Sequence, residues 1–562
     1  MDLKQVLAVC LKDYLHGVLA QEKIYNSIEI PKNPEHGDLA FPCFQLAKLL
    51  KKSPVEIATE LSEELGKSNH FSKVSPIGPY LNVFFSSKEI GKKVVTEVLK
   101  DGHAFGKGSI GENKTVVLDM SSPNIARPFS MGHLRSTVIG NALANLADKC
   151  GYKTVKINHL GDWGTQFGKL ITAYKKWGDE EKVKANPIQE LSKLYVKFHE
   201  EAEINHNLEA EARAAFKSLE DGDKENLQLW QWFRDESLKA FMGIYDLLGV
   251  SFDSYNGEAF YNDKMDEVVD LLKERKLLET SDGAEVVKLD NNQLPPCLIK
   301  KSDGATLYAT RDLAAAIYRQ KTYQFDTALY VVGQEQTVHF KQVKGVLEKL
   351  DFGWADGMHH IPFGLYLKDG KRMSTRKGRV ILLEEVLREA IQLAEKNIKD
   401  KNPTLVNANQ VAESVGVGAI IFHDLKNDRM NNIEFSLKDM LTFEGETGPY
   451  VQYTHARAMS ILQKAEIDEY EFHGLNDQGS WEIIKHLNHF PDIIENAYNQ
   501  FSPSVLAKYL IHLSQSFNKY YAKVRIIEKD EELLSRLSLV KAVTIVLKEG
   551  LRILGVKAPN EM

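Results

Sequence analysis

The sequence predicts a multidomain α/β protein with a doubly wound parallel-sheet domain in the middle, an α+β domain before it and an all-α bundle after it. Three observations predict this. The chain has 562 residues, several times the ~100–150 of a typical single core. From Thr115, TVVLD is followed by a Pro- and Gly-bearing loop, a helical run and then KTVKI, the strand, helix, strand order of a parallel sheet. From about Val380 onward nearly every segment spaces its apolar residues as a helix does.

Composition narrows the class. With 43% hydrophobic, 27% charged and 9% aromatic residues, the chain lies outside the disordered, collagen-like and disulfide-scaffold classes. No apolar run approaches the ~20 residues of a membrane span. The opening MDLKQVLAVCLKDYLHG is amphipathic, interrupted by Lys4, Lys12 and Asp13, so neither secretion nor insertion is expected and a cytoplasmic location is. Cys10, Cys43, Cys150 and Cys297 are too far apart for a structural zinc site or a thiol redox pair; they read as reduced core thiols, and no metal site is expected. A net charge of -7 argues against whole-surface attraction to nucleic acid and leaves a local basic groove open.

In order, residues 1–112 form the α+β unit. Helical periodicity runs through Leu19, PKNPEHGDLAF is expected to be irregular because of its Pro and Gly residues, FQLAKLLKKSPVEIATELSEEL returns to helical runs, and GPYLNVFF is a strand. Gly102 to Gly111 reads as a linker. The sheet domain, 113–380, carries a helix from about His133 to Lys149 and a charged helical section from about 170 to 280. VVKLD, LIKKSDG and TLYATRD read as strands and turns, and ALYVVG as another buried strand. A connecting helical region is expected over 381–435 and a helical domain over 436–562.

Two stretches carry chemistry. In DMSSPNIARPFSMGHLRSTVIGN, residues 119–141, a parallel strand and a loop with Pro123 and Pro128 deliver Gly132 and His133 to a helix start, where free N–H groups and the helix dipole favour a phosphate. Glycine lets a ligand approach the backbone, and histidine supplies a donor that follows developing charge. By itself His133 would be read as a capping or surface histidine. GKRMSTRKGRV, residues 370–380, is a glycine-bounded cationic loop with Ser374 and Thr375 inside it, suited to polyphosphate; by itself it would be a solvated basic turn.

Together, SMGH at 130–133 and RMSTR at 372–376 resemble the HIGH and KMSKS signatures of class I aminoacyl-tRNA synthetases, in the right order. Arg372 follows His133 by 239 residues, too short a gap for the large editing insertion of the isoleucine, leucine and valine enzymes, and the zinc ligands of the cysteine enzyme are missing. SSPNIARPFSMGHLRST, INHLGDWGTQFGKL, LYATRDLAAAIYR, GPYVQYTHAR and LGVKAP are similar to arginyl-tRNA synthetases along essentially the whole chain, and PEHGDLAFPCFQLAK is similar to that family's N-terminal appended domain.

The resemblance implies a Rossmann-like catalytic domain, an anticodon-binding bundle, and a monomer that makes arginyl-adenylate from arginine and ATP with Mg2+ and moves arginine to the 2′-hydroxyl of the terminal adenosine of tRNA(Arg), with activation requiring the tRNA. It implies ATP at Ser130, Met131, Gly132 and His133 and at Arg372, Met373, Ser374, Thr375 and Arg376, with Mg2+ carried by the nucleotide. Gly132, His133, Arg372, Ser374 and Arg127 are the implied catalytic residues; the alternative for Arg127 is a surface salt bridge. Ser130 stands where the family's first histidine is found, and Arg372 and Thr375 stand where its lysines are. For the arginine side chain it implies Asp119, Tyr308 and Asp312, the last two four apart on one helical face, with Asn124 and His159 at the α-amino and carboxylate end and Gln336 as a further contact. A planar, permanently charged guanidinium calls for carboxylates in fork geometry. For tRNA it implies Tyr450, Tyr453, His455 and Arg457, with Lys508, Tyr509, Tyr520 and Tyr521, mixing aromatic faces and cations; as isolated residues these read as bundle core and rim. The loop from Asn33 to Asp38 is either a tRNA contact or a structural turn. The rival readings are a small-molecule nucleotidyltransferase, which shares the HIGH-type loop but needs neither the helical bundle nor 562 residues, and a catalytically silent paralogue, to which the Ser130 and Arg372 departures give some weight and against which the retention of His133, Asp119, Tyr308 and Asp312 counts.

Overall fold

The computed structural model describes all residues except 290–293, 303–307, 374, 377 and 378, with the backbone alone at 34, 375, 376, 379 and 380. The N-terminal unit begins with helix Leu3–Tyr14, whose first turn is capped by Asp2 accepting the Gln5 amide. Its antiparallel sheet runs Leu39–Pro42, Tyr80–Phe85, Phe71–Ile77. The first of these strands corrects the expectation that PKNPEHGDLAF is irregular throughout. Gly37, at φ +103°, turns the chain so close to the neighbouring strand that a Cβ there would stand 2.6 Å from the Val83 carbonyl oxygen, and beyond it the apolar Leu39–Phe41 run pairs and buries. Helices Phe44–Leu50 and Pro54–Leu65 are separated where Lys51 turns left-handed; a reciprocal Ser53–Glu56 capping box starts the second.

The linker docks. Gly102–Ala104 forms a 3-10 turn and the buried Phe105 ring stacks on Phe490 of the C-terminal bundle at 6.0 Å.

The central sheet is parallel, in the order Met358–His360, Thr327–Tyr330, Thr115–Asp119, Lys153–Ile157. The crossover helix Met131–Lys149 joins its first two strands in sequence. After Ile157 the chain leaves the sheet, forms the helices from Thr165 to Glu274 and an antiparallel sheet of Glu279–Ser281, Ala284–Leu289 and Leu294–Lys300, then returns at Thr327. The return passes through helix Tyr308–Tyr323, which corrects the reading of TLYATRD as strand and turn: from Tyr308 onward the Ala-rich run favours helix.

Past the sheet, Tyr366–Lys368 pairs with Lys371–Arg372 as a hairpin and with Ile433–Glu434. Helices Leu383–Lys401 and Ala408–Leu425 lead to the bundle of Gly448–Ala465, Gln478–Asn499, Pro503–Tyr521 and Leu533–Ile553. One hydrophobic core runs from the N-terminal unit through the crossover helix into this bundle, and a second fills the space between the sheet, helix Tyr308–Tyr323 and the antiparallel insertion. Among the described residues, no helix is long and apolar enough to cross a membrane.

Candidate active site

The first strand of the parallel sheet ends at Asp119, and the loop after it is bent through three left-handed non-glycine residues, Ser121, Ser122 and Ala126, at φ of 71°, 49° and 58°. Each such residue costs roughly 1–2 kcal/mol, and the surroundings hold each one. The Ser121 amide donates to Ser136 Oγ at 2.8 Å, Ser122 Oγ donates to Asp119 Oδ1 at 2.9 Å, and the Ala126 amide donates to Ser237 Oγ at 3.0 Å.

This loop sets Ser130 as the cap of the crossover helix, whose first turn is Met131, Gly132 and His133. Met131 is buried and Gly132 exposed; a Cβ on Gly132 would meet nothing nearer than Ser130 Oγ at 3.7 Å, so the space over the first turn is open to a ligand. The Ser130 amide donates to His133 Nδ1 at 3.1 Å, the Ser130 hydroxyl lies 3.3 Å from the same nitrogen, and the ring packs on Phe129 at 5.2 Å. Burial lowers the His133 imidazole to about 4. It is therefore neutral at pH 7, and because Nδ1 accepts, the proton resides on Nε2 as a donor.

The second cationic stretch is joined to the first by main chain. Ser130 forms an isolated antiparallel bridge with Leu382, and the Leu383 amide donates to the Phe129 carbonyl at 2.9 Å. Arg372 sits exposed on the hairpin, and the Met373 amide returns to the Tyr366 carbonyl at 2.8 Å. The Glu434 carboxylate accepts the amides of Asp369 and Gly370 at the hairpin turn. Ser374 lies outside the described residues; the backbone of Thr375–Arg376 pairs with Arg379–Val380, and the side chains of Thr375 and Arg376 lie outside the description. Among the described residues Arg127 makes no salt bridge: exposed, it donates to Gln166 Oε1 at 3.0 Å and lies over the Tyr195 ring at 5.5 Å.

Beneath the helix start is a charge network. Asp119 already faces a guanidinium of the chain's own, since Arg319 Nη1 is 2.8 Å from its Oδ2 and Arg319 is 1% exposed. Arg319 Nη2 lies 3.2 Å from His159 Nδ1, and His159 stacks on Tyr261 at 5.5 Å. Burial pulls His159 down while Asp119 pulls it up, leaving it below the ordinary imidazole value.

Two turns earlier on the same helix, Asp312 Oδ2 lies 2.5 Å from His339 Nε2. Burial raises this carboxyl, but the His339 bond with the charges of His339, His159 and Arg319 outweighs it, and the net shift is downward. Nearby Glu258 shows the reverse. Burial, with Asp312 and Asp162 adding repulsion, raises it to about 7 against the lowering pull of Arg311 at 3.8 Å. Asp162, by contrast, is held by Arg234 at 3.0 Å and the Ala259 amide at 2.9 Å.

Asn124 lies over Gly161, where a Cβ would collide with its Oδ1. Tyr308 is the first residue of helix Tyr308–Tyr323, one turn before Asp312, and is 65% exposed. Gln336 is exposed at the start of helix Thr337–Lys349, which carries His339. The structure thus gathers Asp119, His159 and Asp312 around Arg319 and leaves Tyr308 and Gln336 facing solvent.

Sequence reasoning did not single out Arg319, His339 or Glu258. Arg319 carried a usable signal, a cation two turns after Asp312 that closes the apolar run Leu313 to Tyr318; Glu258 comes from a 3-10 segment with no periodicity to mark it.

In the bundle, Arg457 lies between the rings of Tyr453 and Tyr521 at 4.8 and 5.3 Å, lining with Lys464 and Arg525 a cavity of about 700 Å3. Tyr450 accepts from Asn518 Nδ2 at 3.1 Å, and Lys508 is exposed. His455, Tyr509 and Tyr520 belong to the core instead: His455 contacts the Pro559 carbonyl at 3.0 Å and Tyr509 donates to the His486 carbonyl at 2.8 Å. Their helical positions point inward, so they present no face to a nucleic acid. Asp38 accepts from Trp481 Nε1 at 3.0 Å, which ties the Asn33–Asp38 loop to the bundle.

Comparison with known proteins covers the whole chain. Residues 2–85 match the arginyl tRNA synthetase N terminal domain, 94–437 the catalytic domain of tRNA synthetases class I (R), and 451–562 the DALR anticodon binding domain. The chain is 60% identical to arginine--tRNA ligase 2 of Bacillus anthracis over 563 residues and 57% identical to arginine--tRNA ligase of Enterococcus faecalis over 564, each covering 100% of both chains. Among solved structures it resembles Thermus thermophilus arginyl-tRNA synthetase, with a TM-score of 0.80 at 24% identity over 100% of both chains, and the Plasmodium falciparum enzyme, with 0.78 at 25% over 99% of both.

Proposed function

We infer the work of this site from one premise: the chain belongs to the family of class I arginyl-tRNA synthetases. It is an arginine--tRNA ligase that activates L-arginine with ATP and charges tRNA(Arg). The finer reading is ours. ATP lies over the open first turn at Gly132, with the neutral His133 donating from Nε2 to the α-phosphate and the hairpin cation Arg372 closing from the other side. Met131, Met373, Ser374, Thr375 and Arg376 complete the two segments around it, and Arg127 swings from Gln166 to the phosphates. Ser130 contributes its amide, which fixes the imidazole, so the missing first histidine of the signature is replaced by backbone. Mg2+ travels with the triphosphate and neutralises its charge; among the described residues no cluster of three acidic, His or Cys groups forms a metal cage.

The arginine guanidinium sits between Asp312 and Glu258, with Tyr308 beside them. The observation that carries this is their unequal electrostatics. Asp312 is held ionised against burial by the His339 bond and nearby positive charge, whereas burial raises Glu258 to about 7 even with Arg311 at 3.8 Å, so an entering guanidinium supplies the further positive charge that favours ionisation of the second acid. Asp119 acts one step back, holding Arg319, which fixes His159. Asn124 and His159 take the α-amino and carboxylate end, with Gln336 at the mouth. Lysine cannot satisfy two acids in fork geometry. Attack on the adenylate comes from the 2′-hydroxyl of the terminal adenosine, and Tyr450, Tyr453, Arg457 and Lys508 with Tyr521 receive the tRNA, the enzyme acting as a monomer.

Arginine-dependent exchange of pyrophosphate into ATP tests the reading. Exchange that needs both arginine and tRNA(Arg) supports it; exchange driven by another amino acid, or none under any condition, rejects it.

A further inference from the structure

A fully buried polar cluster, none of whose residues is assigned above to either substrate, joins three elements. Asp424, near the end of helix Ala408–Leu425, has its Oδ2 3.1 Å from Arg135 Nε and 2.5 Å from the Tyr366 hydroxyl. The Asp424 and Arg135 side chains are 0% and 1% exposed. Arg135 is two residues past His133 on the crossover helix and also donates to the Asn431 carbonyl at 2.9 Å. Tyr366 opens the hairpin that carries Arg372, and its own carbonyl takes the Met373 amide. One carboxylate oxygen therefore holds the helix of the first signature and the stalk of the second. The helix that supplies it packs in turn on the bundle, where Gln452 donates to the Ser414 carbonyl at 3.0 Å.

The cluster is not a saturated structural pair. Arg135 Nη2 and Asp424 Oδ1 are both buried without a hydrogen-bond partner among the described residues. A buried pair that leaves donor and acceptor unmet adds little to stability, and the crossover helix already has a second buried anchor at its far end, Lys149 to Glu549 at 2.9 Å.

We propose that Asp424 is a positioning residue for the activation step, setting the separation of the His133 helix and the Arg372 hairpin by gripping Arg135 and Tyr366 at once. This rests on the reading of the two segments as the ATP site. Through helix Ala408–Leu425 the same grip transmits the placement of the tRNA-binding bundle to the nucleotide loops.

The test uses the full chain with saturating arginine and tRNA(Arg). Tyr366→Phe removes one hydroxyl and keeps the ring. Expected is a loss of at least about tenfold in pyrophosphate exchange with a raised ATP KM, while the arginine KM and the tRNA Kd stay within about twofold. Combined with Arg372→Ala, the loss should be smaller than the product of the two single losses, because both act on one hairpin. Glu549→Ala, which removes the other buried anchor of the crossover helix, should keep exchange within about twofold and serves, beside Glu549→Gln, which removes only its charge, as the control for general loosening. The proposal is overturned if Tyr366→Phe exchanges like the parent, if its loss multiplies independently with that of Arg372→Ala, or if Glu549→Ala is equally impaired. A parent enzyme showing no arginine-dependent exchange overturns the reading of the site as well, which separates the two failures.

Discussion

His339 Nε2 stands 2.5 Å from Asp312 Oδ2, and this contact is the strongest of the influences that hold the Asp312 carboxyl below its ordinary range against burial. Replacing Asp312 with Ala removes that carboxylate. Arginine KM is expected to rise by about a hundredfold or more, or activation to disappear, while ATP KM changes less than about twofold; steady-state exchange kinetics at varied arginine and ATP check it.

Glu258→Gln keeps the shape and cancels the second charge. Because an acid near 7 gains most when a fixed cation arrives, arginine KM should rise by about tenfold to a hundredfold at pH 7.5, and the parent enzyme's own arginine KM should fall as pH rises from 6 to 8 while Glu258 ionises. A flat arginine KM across that range would show that this carboxyl does not touch the guanidinium.

Arg319→Ala strands the buried Asp119 carboxylate, whose side chain is 9% exposed, without its cationic partner. Breaking a buried pair from one side costs about 3–5 kcal/mol, so the urea midpoint should fall clearly, and Arg319→Met with Asp119→Asn together should recover part of the loss. Equilibrium unfolding of the single and double variants measures it.

Four imidazoles, His133, His423, His455 and His486, are lowered to about 4 chiefly by burial. Between about pH 6.5 and 4 each is protonated in the unfolded chain and neutral in the fold, so unfolding takes up protons and stability falls on acidification, by up to about 1.4 kcal/mol per pH unit for each group. Below 4 both states are charged and the decline from this source ends. Thermal melts from pH 7.5 to 4 check the slope, which should be shallower in His455→Gln.

Arg457→Ala opens the stack between Tyr453 and Tyr521. Affinity for tRNA(Arg) should drop about tenfold, with exchange restored at saturating tRNA; filter binding set against exchange kinetics separates the two effects.

Much of this was legible because local chemistry and global fold agree. TVVLD and KTVKI form neighbouring parallel strands, and the Pro- and Gly-bearing loop between them delivers Gly132 and His133 to a helix start. What stayed hidden depends on contacts distant in sequence. Asp119 reads as an acid for a ligand until Arg319, brought back by the return to the sheet, is seen to occupy it. His455 and Tyr509 look like ligands for bases because an aromatic or cationic residue on a helix has the same letter whether it faces inward or outward; only the packing of the bundle distinguishes them. Residues 303–307, just before Tyr308, lie outside the description.

The seam between Ser130 and Leu382 is sewn with peptide groups, so it is blind to the identity of either residue. A histidine, a serine or an alanine at 130 would leave the two joined segments in the same register. What a new side chain at 130 alters is the hydroxyl contact to His133 Nδ1, not the fastening between the two strands of chain.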